Sequence, residues 1–174
     1  MAVSTSSYDV VLDALIAMLR ALPSTSGNPP VAVYDGPPGP NEPDLFVSIA
    51  GNGETIGGPQ EWASLGGTTG APARDEHYVI DGFVFSIVGG DNVSGVTGIS
   101  DAQKSARDAA YVIFHDFESA LRLDPKLSGT LRDGWAGIAD HRLVQTDPED
   151  PKSQMGRYVV LTFQVGVTNR LHSV

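Results

Sequence analysis

Residues 76–122 read EHYVIDGFVFSIVGGDNVSGVTGISDAQKSARDAAYVIFHDFESALR, and the two halves of this stretch follow different periods. Residues 77–88 are dense in β-branched and aromatic side chains, which predicts a strand long enough to be the spine of a sheet. GGDNVSGVTG is a turn-forming connector, after which Ser100 opens a helix. Ser100-Asp101-Ala102-Gln103 has the form of a capping box: the serine oxygen accepts from the Gln103 amide and Gln103 reaches back. Asp101 then sits at the positive end of the helix dipole. Ala102, Ala106, Ala109 or Ala110, Ile113, Phe117, Ala120 and Leu121 recur at three- and four-residue steps and form one apolar stripe. Lys104, Arg107, Asp108, His115 and Glu118 lie away from it. The small alanines let the helix approach a sheet closely, and Phe117 fills space at the far end. A strand and a helix that each need covering predict an α+β fold, a mostly antiparallel β-sheet with two helices packed on one face.

The second helix lies at the start of the chain. Ser6 or Ser7 caps it, and Val11, Leu12, Leu15, Met18, Leu19 and Leu22 form its buried stripe. Val10, Ala14, Ile16, Ala17 and Ala21 widen the apolar surface beyond one stripe. Either the helix is wedged between sheet and neighbours, or its outer face meets another subunit. Pro23 stops it. Residues 31–34 form a short strand, and residues 45–50 form the next, with Leu45, Val47 and Ile49 on one face and Phe46 and Ser48 on the other. The connecting PPGPNEPD is stiff and lacks four backbone donors, and an antiparallel pair joined by this proline loop is expected. Residues 135–146 read as a strand with imperfect alternation. Residues 157–169 alternate cleanly: Val159, Leu161, Phe163, Val165 and Val167 fall on one face, with Tyr158, Thr162, Gln164 and Thr168 on the other. TDPEDPKSQMG joins these two as a long hairpin. The order is helix, two strands, long loop, long strand, helix, two strands.

Residues 51–75 break this regularity. Seven of the 25 are glycine, apolar periodicity is absent, and a loop of that length inside a domain is usually functional or disordered. It nevertheless carries Ile56, Trp62 and Leu65. Either these three fold back onto the domain, or the loop is a mobile arm that orders against a neighbour, with Trp62 as anchor. The arm is expected.

Composition narrows the function classes. The 174 residues suit a single domain spanning 1–174. With 11 Lys and Arg against 21 Asp and Glu, the net charge is −10, which argues against a protein that grips nucleic acid through its phosphates. No cysteine is present, so thiolate metal sites and thiol nucleophiles are excluded. No apolar run approaches the ~20 residues of a membrane helix, so a soluble protein made in a cytoplasm, without membrane contact, is expected.

Chemistry-bearing patterns are few. His77, His115, His141 and His172 include no metal pair on one helix face, and no HExxH occurs. Asp147, Glu149 and Asp150 alternate with prolines but lack the spacing of a calcium loop, and read as a solvated turn. GGDNVSG lacks the endings of a phosphate cradle, and no serine lies in GxSxG. The reading is a non-enzyme with no catalytic, cofactor-binding or metal residues and no cofactor.

The whole layout resembles a family. A leading apolar helix, a strand pair with a proline loop (VAVYDGPPGPNEPDLFVSI), a glycine-rich excursion, a long strand with an amphipathic helix, and a closing hairpin ending RYVVLTFQVGVTNRL are together similar to the tail terminators, the tail-completion or head-tail joining proteins of long-tailed, siphovirus-like bacteriophages. The resemblance implies an α+β structural subunit of the virion that assembles, in the host cytoplasm, into a homomeric ring, usually a hexamer. Such a ring caps the tail tube, halts its polymerisation and presents an attachment surface to the head-tail connector or stopper protein. Genome DNA passes through its lumen without specific binding. The acidic balance fits a wall that DNA slides past. A head-completion or adaptor protein of the same neck, and a small ligand-binding or enzymatic α+β domain, are the alternatives.

Overall fold

A computed structural model describes residues 6–50, 73–88, 96–146 and 157–172. The elements are α1 (Tyr8–Ala21), β1 (Ala32–Asp35), β2 (Leu45–Ile49), β3 (Ala73–Val88), α2 (Val96–Leu123), β4 (Trp135–Thr146) and β5 (Arg157–His172), in the expected order. The strands form one mixed sheet, β1-β2-β3-β5-β4, and the fold is α+β.

β3 and β5 are both sixteen residues long and pair antiparallel from Ala73↔His172 to Val88↔Arg157. Because successive side chains alternate, this register commits one face of both strands at once. Tyr78, Ile80 and Val84 of β3 and Val159, Leu161, Phe163, Val165 and Val167 of β5 all point into the core. That core is closed by Ala106, Ala110, Ile113, Phe114, Phe117 and Leu121 of α2 and by Val11, Leu15, Ile16 and Leu19 of α1. Leu12, Met18 and Ala120 are only partly buried at its margin. Both helices therefore cover one face of the sheet, as the stripes in the sequence require.

Phe163 is the centre of this packing. Its ring lies 5.4 Å from Phe117 and 6.2 Å from Phe114, centroid to centroid. On the sheet it lies over Gly82, its partner across the ladder, where an added Cβ would meet Phe163 Cζ at 2.4 Å. Only glycine leaves room for the ring there.

Three boundaries shift by more than one residue, and one direction differs from expectation. β1 and β2 are parallel, Ala32↔Phe46 to Asp35↔Ile49, rather than an antiparallel pair. The nine residues between them are long enough to carry the chain back along β1, and the prolines cannot make the ladder of a hairpin. Gly36 at φ 89° and Asn41 at φ 73° supply the reversals. α2 begins at Val96, so Ser100 lies inside the helix and cannot cap it, because a cap residue stands at the non-helical boundary. The first turn holds no acid, which removes the dipole role assigned to Asp101. β5 runs on past Asn169 to His172 and offers a ladder partner to β3, which therefore begins at Ala73, inside the stretch read as loop. The imperfect alternation of β4 is a β-bulge between Ile138 and Asp140.

Phe163→Asp is expected to leave the chain unfolded, because it buries an unpaired charge against two phenylalanines. Phe163→Ala is expected to fold with a stability loss of about 3–5 kcal/mol in chemical denaturation. Unchanged midpoints for both variants would show that the core lies on the other face.

Candidate functional site

Among the described residues, one face of the sheet carries both helices and the other carries none. The register that buries Phe163 turns Phe83, Phe85 and Ile87 of β3 and Tyr158, Val160, Thr162 and Gln164 of β5 away from the helices. Phe46 of β2 and Tyr34 of β1 join them. The rings touch in a row across four strands: Tyr34 to Phe46 at 5.6 Å, Phe46 to Phe85 at 5.0 Å and Phe85 to Tyr158 at 5.9 Å. Phe83 adds an edge contact to Phe46 at 5.9 Å. Phe46 is buried by this company, while Tyr34, Phe83, Phe85 and Tyr158 stay half-buried. Toward the other end the same face turns polar. Gln164 donates to Asp81 at 2.8 Å, and His77 Nδ1 stands 3.3 Å from Thr168 Oγ1.

Arg170 and Asp75 close that polar end with a two-pronged ion pair, Nε to Oδ1 at 2.6 Å and Nη2 to Oδ2 at 2.8 Å. The bonds from Arg170 hold the Asp75 carboxyl below its ordinary value, and Asp75 holds the guanidinium above its own. Asp133, His77, Thr168 and Asn169 complete a recess of about 380 Å³ around the pair.

Behind it, on the helix side, Glu76 is buried and ties α1 to the sheet. Its Oε2 accepts from the Ser7 amide at 3.0 Å and from Ser7 Oγ at 2.9 Å. Ser7 Oγ also lies 3.0 Å from Tyr78 Oη. The serine expected to cap α1 thus spends its hydroxyl on β3, and a carboxylate from the sheet satisfies the start of the helix instead. Ser6 Oγ accepts from the Tyr8 amide at 3.2 Å, which is the local contribution. Burial pushes the Tyr78 phenol up to about 12, and Tyr8, whose ring lies 5.6 Å away, is raised chiefly by its own burial.

The sheet edges differ. β1 is short, and Arg20 Nη2 donates to its Val33 carbonyl at 3.2 Å. β4 is twelve residues long and carries Trp135, 54% exposed, and Val144, 37% exposed. On the helix side, a groove of about 580 Å³ between the C-terminal ends of α1 and α2 is lined by Ala14, Ala17, Met18, Ala120 and Leu127. Val10, Ala17 and Ala21 on the outer side of α1 are exposed.

Ile56, Trp62 and Leu65, the contact residues expected from sequence, lie outside the described residues, as do Asp147, Glu149, Asp150 and the connector 89–95. The side chains of His77, His115 and His141 are not brought together. His77 lies on the open face, His115 stacks on Tyr111 along α2, and the His141 ring packs on Phe114 at 4.8 Å. Among the described residues no three His, Asp or Glu side chains group as metal ligands, and no described helix is long and apolar enough to cross a membrane. The aromatic row escaped the sequence reading, although Phe46, Phe83, Phe85 and Tyr158 at alternate positions were its signal.

No protein-family model matches this chain, and no curated protein does. Among solved structures it is similar to a chain of the "Virion of native gene transfer agent (GTA) particle", at 19% identity and a TM-score of 0.37, over 95% of this chain and 100% of that one.

The Tyr78 shift sets an alkaline window. The folded protein holds the phenolic proton that the unfolded chain releases near 10, so this group's contribution is intact below pH 10 and falls as pH rises toward 12. Tyr78→Phe is expected to cost about 1 kcal/mol at pH 8 through the lost Ser7 contact, and to lose less stability than the parent between about pH 9 and 11. Denaturant titrations at those pH values check this, and equal losses in both proteins would contradict it.

Proposed function

We propose that this chain is a structural, non-enzymatic virion subunit: a tail terminator that closes into a homomeric ring of six on the end of a tail tube. The observation that carries the reading is a sheet that, among the described residues, helices cover on one face only, in a chain whose element order and texture resemble those terminators. An aromatic row left half-buried on the other face is surface of the kind that partners cover. Its mixture of rings with polar groups suits an interface that must also tolerate water before assembly.

The mechanism is that of a cap. Tube growth needs a free terminal face, and a ring complementary to that face removes the site to which the next subunit would add. The ring interface must be heterologous and must close, since an open one would itself build a filament. The far side of the ring presents the attachment surface for the head connector. Genome DNA passes through the hole, and a net charge of −10 gives a protein that does not hold phosphates. In this reading Ile56, Trp62 and Leu65 on the long loop supply the anchor to the tube or the next subunit.

Mixing the protein with purified tube subunits and imaging the product tests the proposal. Short tubes with added density at one end are expected. Tubes that elongate undiminished, with no density for this protein at either end, would sink it.

A further inference from the structure

The two edges of the sheet carry complementary surfaces. At the β1–β2 edge the connection 36–44 is stiffened by four prolines, of which Pro37, Pro40 and Pro43 are exposed. Asp35 and Asp44 stand exposed beside it, Glu42 is half-buried and hydrogen-bonded to Tyr34, and residues 21–50 contain no lysine or arginine. The cation nearest this edge in sequence, Arg20, is engaged with the Val33 carbonyl.

The β4 edge is different in kind. Of the five large apolar side chains exposed among the described residues, three lie here: Trp135 and Val144 on β4, and Leu123 at the end of α2. The Trp135 ring lies along its own strand, 3.2 Å from where a Cβ on Gly137 would stand, so its other face is open. The end of α2 adjoins β4 through the Ala136 amide, which donates to the Pro125 carbonyl at 2.8 Å. Arg122, Lys126, Arg132 and Arg142 are exposed on this side. Three of the acids interspersed among them are committed locally: Glu118 to Arg122, Asp124 to Ser128, and Asp140 to the His141 amide.

We infer that the acidic proline loop of one copy docks on the β4 edge of a second copy, with its prolines against Trp135 and its carboxylates toward Arg132 and Arg142. Exposed proline segments suit aromatic platforms because their rigid backbone loses little entropy on binding. Charge complementarity fixes which edge meets which. Strand addition is not the joint. The bulge between Ile138 and Asp140 interrupts β4, and Arg20 occupies the β1 carbonyl that a ladder would need. Because the two surfaces are different, the contact is head-to-tail, the kind that generates rings. The inference rests on the ring proposed above and names its joint.

The test reverses charge on each edge and measures mass by sedimentation across concentration, with melting temperatures as the folding control. Asp35→Lys with Asp44→Lys, and separately Arg132→Glu with Arg142→Glu, are each expected to raise the concentration for half-assembly at least roughly tenfold. Trp135→Ala is expected to do the same. The four-fold variant with both edges reversed is expected to recover to within about threefold of the parent, because the pairs are restored. An equal mixture of the two single-edge variants is expected to co-assemble. A parent that stays monomeric, reversals without effect, or a four-fold variant worse than either half would overturn the joint. Assembly that obeys the swap but leaves tubes uncapped would remove the terminator reading and keep the joint. Capping that ignores the swap would do the reverse.

Discussion

The sixteen-residue register between β3 and β5 is the constraint on which the rest of this structure depends. A strand has period two, so slipping that ladder by one residue would turn the whole buried set of one strand to the opposite face. In this protein Leu161, Phe163 and Val165 would meet water, and Thr162 and Gln164 would meet α2. The Phe163 ring over Gly82 opposes such a slip, because the neighbouring positions Asp81 and Phe83 offer no bare backbone to receive it. At the far end of the same register, Glu76 and Asn169 are paired and buried, and Glu76 holds the start of α1. One pairing therefore places the core, the seat of the first helix and the open face together.

Much of this was legible in the residues. The alternation of Val159 to Val167 is unbroken, and a strand with one wholly apolar face has few ways to be satisfied. The α2 stripe was equally clear, since Ala106, Ala110, Ile113, Phe117 and Leu121 leave only one side for the sheet. The β1–β2 direction was not legible. A nine-residue loop is long enough for either direction of return, and Val33 and Val47 would share the core face in both, so neither loop length nor apolar pattern marks the direction. The capping box failed because Ser-x-x-Gln also occurs inside helices, and the preceding Val96-Thr97-Gly98-Ile99 does not forbid one more turn. Glu76 could not be recognised as buried, because its partner Ser7 is 69 residues away.

The functional surfaces were legible only in part. In the sequence Trp62 stands out within its glycine-rich stretch, whereas among the described residues the exposed indole is Trp135, at an edge whose alternation is blurred by a bulge. Edge position is a property of topology, and nothing local in residues 135–146 marks β4 as the last strand. The same holds for the aromatic row, whose members lie on four strands and meet only when the sheet is built.

If this chain is an assembling subunit of the kind proposed, its neighbour covers the β4 edge. The chain has two tryptophans, so Trp62→Phe leaves Trp135 as the sole indole reporter. Acrylamide quenching of its fluorescence, followed from dilute protein to the assembled particle, reads the coverage directly. Strong quenching in the free subunit and a clear fall on assembly are the expected result. A Trp135 that stays as quenchable in the particle as in the monomer would contradict it.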